Sequence, residues 1–127
     1  MQGGEPPRYV DKPWGGELWF AHTDLYAGKL LYVKAGQRLS VQYHAAKDET
    51  SLLLAGRVMV RQGPAPDSLV EKELGPGDAW RNSPGLVHSI EALEDSTVIE
   101  VSTPELDDVV RLADDYGRAE GPASRRS

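Results

Sequence analysis

Short β-rich runs, broken by glycine or proline at intervals of roughly eight to twelve residues, constrain this chain more than any other feature. The runs fall at residues 17–20, 28–34, 39–44, 51–55, 58–62, 69–74, 78–81, 87–92 and 97–102. Regular short strands between Gly/Pro turns predict an all-β sandwich or barrel. Runs 51–55 and 58–62, joined through Gly56-Arg57, read as a hairpin, and Gly75-Pro76-Gly77-Asp78 reads as a sharp turn. Gly63-Pro64-Ala65-Pro66-Asp67 must be a loop, because proline cannot donate to the ladder of a central strand. At 127 residues the chain is one domain's worth and can bury a core without staples. Cysteine is absent, which excludes disulfides and thiolate metal sites alike.

One helix is expected. Thr103-Pro104-Glu105 offers an N-cap, a proline at the first helical position and an acid in the first turn. Leu106, Val109, Val110 and Leu112 follow as an apolar stripe, with Gly117 as the stop. Asp107-Asp108 then reads as charge at a helix start. The domain is expected at 9–118, between flexible tails at 1–8 and 119–127 that are rich in Gly, Pro, Ser and charge. Twenty acids against fourteen bases give −6, which argues against nucleic acid, whose phosphates require a basic face. No apolar run approaches the roughly 20 residues of a membrane span, and the first residues do not read as a signal peptide. A cytoplasmic protein with no membrane partner is the expectation.

Two of the three histidines stand in suggestive company. Strand alternation puts Ser40, Gln42 and His44 on one face. Glu49 opens the next strand and shares its parity with Ser51 and Leu53. His88 follows Pro84-Gly85-Leu86-Val87 much later. An amide oxygen, two imidazoles and a carboxylate form an oxygen and nitrogen set suited to a divalent metal. Two histidines alone would read as hydrogen-bonded core groups, with Glu49 a solvated turn acid. The glycine spacing around them changes that.

Gly36-x5-Gln42-x-His44-x4-Glu49-x6-Gly56 resembles the first cupin motif, and Gly77-x6-Pro84-Gly85-x2-His88 resembles the second, with Ser83 at the usual proline. The resemblance covers about residues 9–118 and implies an all-β, cupin-type double-stranded β-helix, a jelly-roll barrel. Lys12-Pro13-Trp14-Gly15-Gly16, Gly36-Gln37-Arg38-Leu39-Ser40-Val41-Gln42-Tyr43-His44 and the stretch 107–118 resemble mannose-6-phosphate isomerase. In particular they are similar to the cupin half of the bifunctional type II enzymes, which join it to a mannose-1-phosphate guanylyltransferase. In that branch glutamine replaces the first histidine. The resemblance therefore implies Gln42, His44, Glu49 and His88 as ligands of one divalent ion, zinc foremost, with manganese, iron, cobalt or nickel as alternatives.

The implied activity is metal-dependent aldose–ketose isomerisation of a sugar phosphate. Its rivals are another metal-dependent cupin enzyme, a dioxygenase or lyase acting on a small polar metabolite, and a non-catalytic sugar-binding module. Gln42 weighs mildly against iron oxygenase chemistry, which employs more imidazole. An anionic substrate needs cations. Arg38 has the parity of Ser40 and Gln42 and is a candidate for the catalytic and phosphate-contacting roles, against a solvated strand end. Arg111 as a catalytic contact and Arg118 as a substrate contact lie in the isomerase-like C-terminal stretch, against helix-terminus charges that complement the dipole. Lys12 is a further substrate contact. Lys47, between His44 and Glu49, is a candidate for proton transfer, against a solvated turn lysine. Trp80 reads as core, Trp14 stays open, and His22 reads as a surface histidine. Small barrels of this kind pair through exposed sheet edges, so a homodimer is expected.

Overall fold

The protein is described by a computed structural model over residues 7–118. Its elements are β1 (Arg8–Lys12), β2 (Gly15–His22), β3 (Ala27–Val33), β4 (Val41–Tyr43), β5 (Glu49–Ala55), β6 (Val58–Gly63), β7 (Val70–Leu74), β8 (Ala79–Asn82), β9 (Val87–Ala92), β10 (Ser96–Ser102) and β11 (Val110–Ala113). All nine runs read from the sequence form strands, and β1 and β11 are additional. The expected tails lie almost wholly outside the described residues, although Arg8 already belongs to β1. Among the described residues no helix is long and apolar enough to cross a membrane.

Two antiparallel sheets face each other, one in the order β1-β2-β3-β10-β5-β8 and the other β11-β4-β9-β6-β7. This is the jelly-roll arrangement expected of the chain. The predicted hairpin is not one. β5 pairs with β10 and β8, whereas β6 pairs with β7 and β9, so the chain changes sheets at Gly56-Arg57. Gly56 turns that corner with φ +97°, and a Cβ there would lie 2.5 Å from the Asp95 carbonyl oxygen. Only glycine fits such a place without strain.

The predicted helix is also absent. Thr103 does not cap a helix; its Oγ1 accepts the Asp48 N–H at 3.0 Å. The stretch after it crosses the barrel mouth and ends in β11, which pairs with β4. Two forces outweigh the capping signal here. Val109 and Val110 are β-branched and favour extended backbone, and the exposed edge of β4 offers a ladder to complete.

Inward side chains are graded from one end of the barrel to the other. Leu31, Val98 and Leu53 are in register across three strands, and with Val33, Val58, Val60, Ile90, Ala92 and Trp80 they form the apolar core. One layer further along the strands, Lys29, Glu100 and Ser51 are in register, all buried. The apolar end supplies the folding energy, at roughly 25 cal/mol per Å² buried, and holds the polar end rigidly. The site lies in that polar end.

Candidate metal centre

His44, Glu49 and His88 converge, all buried, with one ligand atom from each within 4.8 Å of the others. The His44 Nε2 lies 3.4 Å from Glu49 Oε1, and the His88 Nε2 lies 3.6 Å from Glu49 Oε2. His44 is buried on the same side as Ser40, and Glu49 on the same side as Ser51 and Leu53, as strand alternation suggests. Gln42 opposes His88 in the β4–β9 ladder, and Ser51 and Leu53 point inward with Glu49.

The far side of each imidazole fixes its tautomer. His44 Nδ1 is 2.6 Å from the Asp108 carbonyl oxygen, and His88 Nδ1 is 3.0 Å from that of Leu86. A carbonyl can only accept, so each Nδ1 carries a proton and each Nε2 is the nitrogen turned toward Glu49. Both Nε2 atoms are buried and have no hydrogen-bond partner. Two buried ring nitrogens without partners beside a carboxylate are costly unless a cation takes them. Burial lowers the His88 pKa, outweighing the Glu49 charge that would raise it, so the ring is neutral at pH 7. For Glu49 burial works in the opposite direction but loses. His44, the Lys47 ammonium, His88 and the Asn82 amide together hold its carboxyl well below the usual range. The donor set fits a divalent ion. It comprises two imidazoles and an ionised carboxylate, with the half-buried Gln42 amide beside them.

Around this centre is a buried network that the sequence reading did not find. Asn82 Nδ2 donates to Glu49 Oε2 at 2.9 Å, and Gln62 orients Asn82 in turn through a 2.8 Å bond to its Oδ1. Asp108 is no helix-start charge. Its carboxylate accepts the N–H groups of Ala45, Ala46 and Lys47 at 2.7–2.9 Å, which locks the turn between His44 and Glu49. Those bonds lower its pKa. Lys47 is not a solvated turn lysine; it is 4% exposed and lies 3.2 Å from both Glu49 and Glu100. Burial would lower its pKa, but the two carboxylates outweigh it and the ammonium is stabilised. Burial pushes the Glu100 carboxyl up.

The cavity above the centre is about 90 Å³ and is lined by five cations (Lys12, Lys29, Lys47, Arg111, Arg118) against three carboxylates (Glu17, Glu49, Glu100). It is therefore net positive in a chain of charge −6. Burial lowers the Lys12 pKa, and the nearby charges of Lys29, Arg111 and Arg118 push the same way against Glu17. Lys29 pairs with Glu17 at 3.4 Å, and Arg118 is held by Asp114 at 2.8 and 3.0 Å. Arg38 stands apart. It is exposed, is clamped by Asp115 at 2.7 and 2.9 Å, and does not line the cavity. Trp14 and Trp80 are both buried core residues, Trp14 also lining the cavity, and His22 is exposed.

No family profile matches the chain. Among curated proteins it is 35% identical over 116 residues to a mannose-1-phosphate guanylyltransferase of Escherichia coli, covering 87% of this chain. The chain spans 23% of that relative's length. Among solved structures it is similar to KdgF from Halomonas sp., with a TM-score of 0.69 and 24% identity over 79% of this chain and 88% of that one. An RmlC-like cupin from Shewanella frigidimarina gives a TM-score of 0.68 and 19% identity, covering 82% of this chain and 89% of that one.

Proposed function

We propose that this chain, which has the cupin fold, is a metal-dependent aldose–ketose isomerase acting on a sugar phosphate, with mannose 6-phosphate as the first substrate to test. One observation carries the reading: His44 and Glu49 line a cavity whose walls are net positive, and His88 meets Glu49 from the adjoining side, each imidazole presenting a buried Nε2 with no hydrogen-bond partner. His44, Glu49, His88 and Gln42 would hold the ion. When bound, it supplies Lewis-acid polarisation of a carbonyl and its neighbouring hydroxyl.

The chain's own residues supply the rest. Isomerisation removes a proton from one carbon and returns it to the next, so it needs an acceptor and a donor within reach of adjacent atoms. Glu100 lines the cavity beside Lys47 and is the acceptor, its carboxyl raised by burial. Lys47, whose ammonium is stabilised, is a donor that can meet oxygen charge as it develops. Lys12, Arg111 and Arg118 face the same cavity and would bind the phosphate, the guanidinium groups in two-pronged fashion. Arg38, tied to Asp115 outside the cavity, takes no part. The 35% identity to a sugar-phosphate enzyme of Escherichia coli supports this substrate class.

A coupled assay of mannose 6-phosphate conversion to fructose 6-phosphate, run with zinc-loaded protein, tests the reading. Turnover that disappears with chelator and returns with metal is the expected result. Protein loaded in turn with zinc, manganese, cobalt and iron that isomerises no hexose phosphate would sink it, leaving a different cupin chemistry or a binding module.

A further inference from the structure

Of the lysines that line the cavity, Lys29 faces Glu17 at 3.4 Å and Lys47 faces Glu49 and Glu100 at 3.2 Å. Lys12 differs. It is the last residue of β1, opposite Gly15 of β2, and alternation turns it inward with Val10 while Tyr9 and Asp11 face out. The next turn is fixed by Trp14, which is buried and whose carbonyl accepts the Lys34 N–H at 3.0 Å. Among the described residues no carboxylate pairs with the Lys12 ammonium and no side-chain hydrogen bond holds it. The charged groups that face it are Glu17 from β2, Lys29 from β3, Arg111 from β11, and Arg118. Burial opposes its charged form first, and three like charges oppose it further, with Glu17 alone in its favour.

An unpaired, half-buried amine among cations is the arrangement that turns a lysine into a nucleophile for carbonyl groups. Only the neutral amine has a lone pair to donate, and desolvation beside other cations enlarges its neutral share. The same cations draw anions into the cavity, where the guanidinium groups of Arg111 and Arg118 can take a carboxylate or a phosphate. We propose that Lys12 is a carbonyl-reactive lysine, and that this cavity directs short aldehydes bearing a carboxylate or a phosphate onto its amine to form an imine. At about 90 Å³ the cavity holds a short aldehyde whole. The Lys12 nitrogen attacks the carbonyl carbon, the carbonyl electron pair moves to oxygen, and a proton passes from nitrogen to that oxygen. Loss of one water from the resulting carbinolamine leaves the C=N bond, so no oxidant or reductant is needed. In the isomerase reading Lys12 meets a phosphate as a cation. Here it reacts as an amine, and the two readings stand or fall separately.

Wild-type chain incubated with glyoxylate and cyanoborohydride, then digested and mapped by mass spectrometry, tests the proposal. The reductant adds hydride to the imine carbon and leaves a carboxymethyl group on each lysine that has reacted. Lys34 and Lys72 are exposed and act as references within the same sample. Lys12 should be labelled about tenfold faster than either, the low end of what a charged cleft adds to the capture of an opposite charge. Inorganic phosphate should bring the Lys12 rate down toward the reference rate and leave Lys34 and Lys72 unchanged. With glycolaldehyde, which is neutral, the preference for Lys12 should shrink. Labelling of Lys12 no faster than of Lys34 overturns the proposal. Fast labelling that phosphate does not slow, or a preference as large with glycolaldehyde as with glyoxylate, overturns the selection of anionic aldehydes by this cavity.

Discussion

Replacing Asp108 with alanine separates a residue that positions the metal centre from those that would touch the ion. The carboxylate accepts three backbone N–H groups at 2.7–2.9 Å, and the same residue's carbonyl oxygen takes the His44 Nδ1 proton. Truncation removes all three acceptors at once and frees the segment that carries the carbonyl. Three partly solvated bonds at about 0.5–1.5 kcal/mol each, discounted for water that replaces them, make a loss of about 2–3 kcal/mol. For a domain of this size that lowers the melting temperature by about 8–11 °C. The effect on metal is separate. An imidazole that loses its outer partner loses its fixed tautomer and orientation, which costs about tenfold to hundredfold in affinity. Zinc titration against a competing chelator, beside thermal melts of metal-free protein, reads both effects. Asp108→Asn keeps one acceptor oxygen and should fall between. An alanine variant that melts and binds zinc like the wild type would refute the idea that this turn is held from across the barrel.

Asn82→Ala leaves Glu49 Oε2 without its 2.9 Å donor, and zinc affinity should fall about tenfold to hundredfold with little change in the circular dichroism spectrum. Metal-free protein should lose stability as pH falls below about 6.5, the ordinary imidazole value. The sign follows from His88, whose lowered folded pKa means that the unfolded chain binds the extra proton first. A urea midpoint that rises on acidification from pH 7 to pH 5.5 would contradict it. Arg111→Gln should weaken hexose phosphate binding by about tenfold to hundredfold, the value of one charge-assisted contact, while zinc affinity is unchanged. Arg38→Gln should leave both alone, because its guanidinium is spent on Asp115 outside the cavity.

What was legible in the sequence was local. Alternation along one strand is enough to put Gln42 and His44 on the inner face, and again Glu49, Ser51 and Leu53. The same signal places Glu100 on the inner face with Val98, next to the outward-facing Val101. What was not legible depends on partners far along the chain. Asp108 acts on residues 61–63 positions away, and Lys47 is buried because Glu100, 53 positions on, receives it. The false hairpin has the same cause. Residues 51–62 look like two strands and a turn, and nothing local says that the second strand enters the other sheet. The false helix shows propensity overruled. Thr103-Pro104 is a sound capping signal, yet Thr103 serves Asp48 and the following valines complete the edge of β4.

Metal stoichiometry of the purified chain tests the central claim most directly. Protein equilibrated with zinc and freed of excess should carry one ion per chain by elemental analysis, and His44→Ala and His88→Ala should each carry none while keeping the β-sheet spectrum. Zinc retained at one equivalent in both folded variants would show that the orphaned nitrogens facing Glu49 are not a metal site.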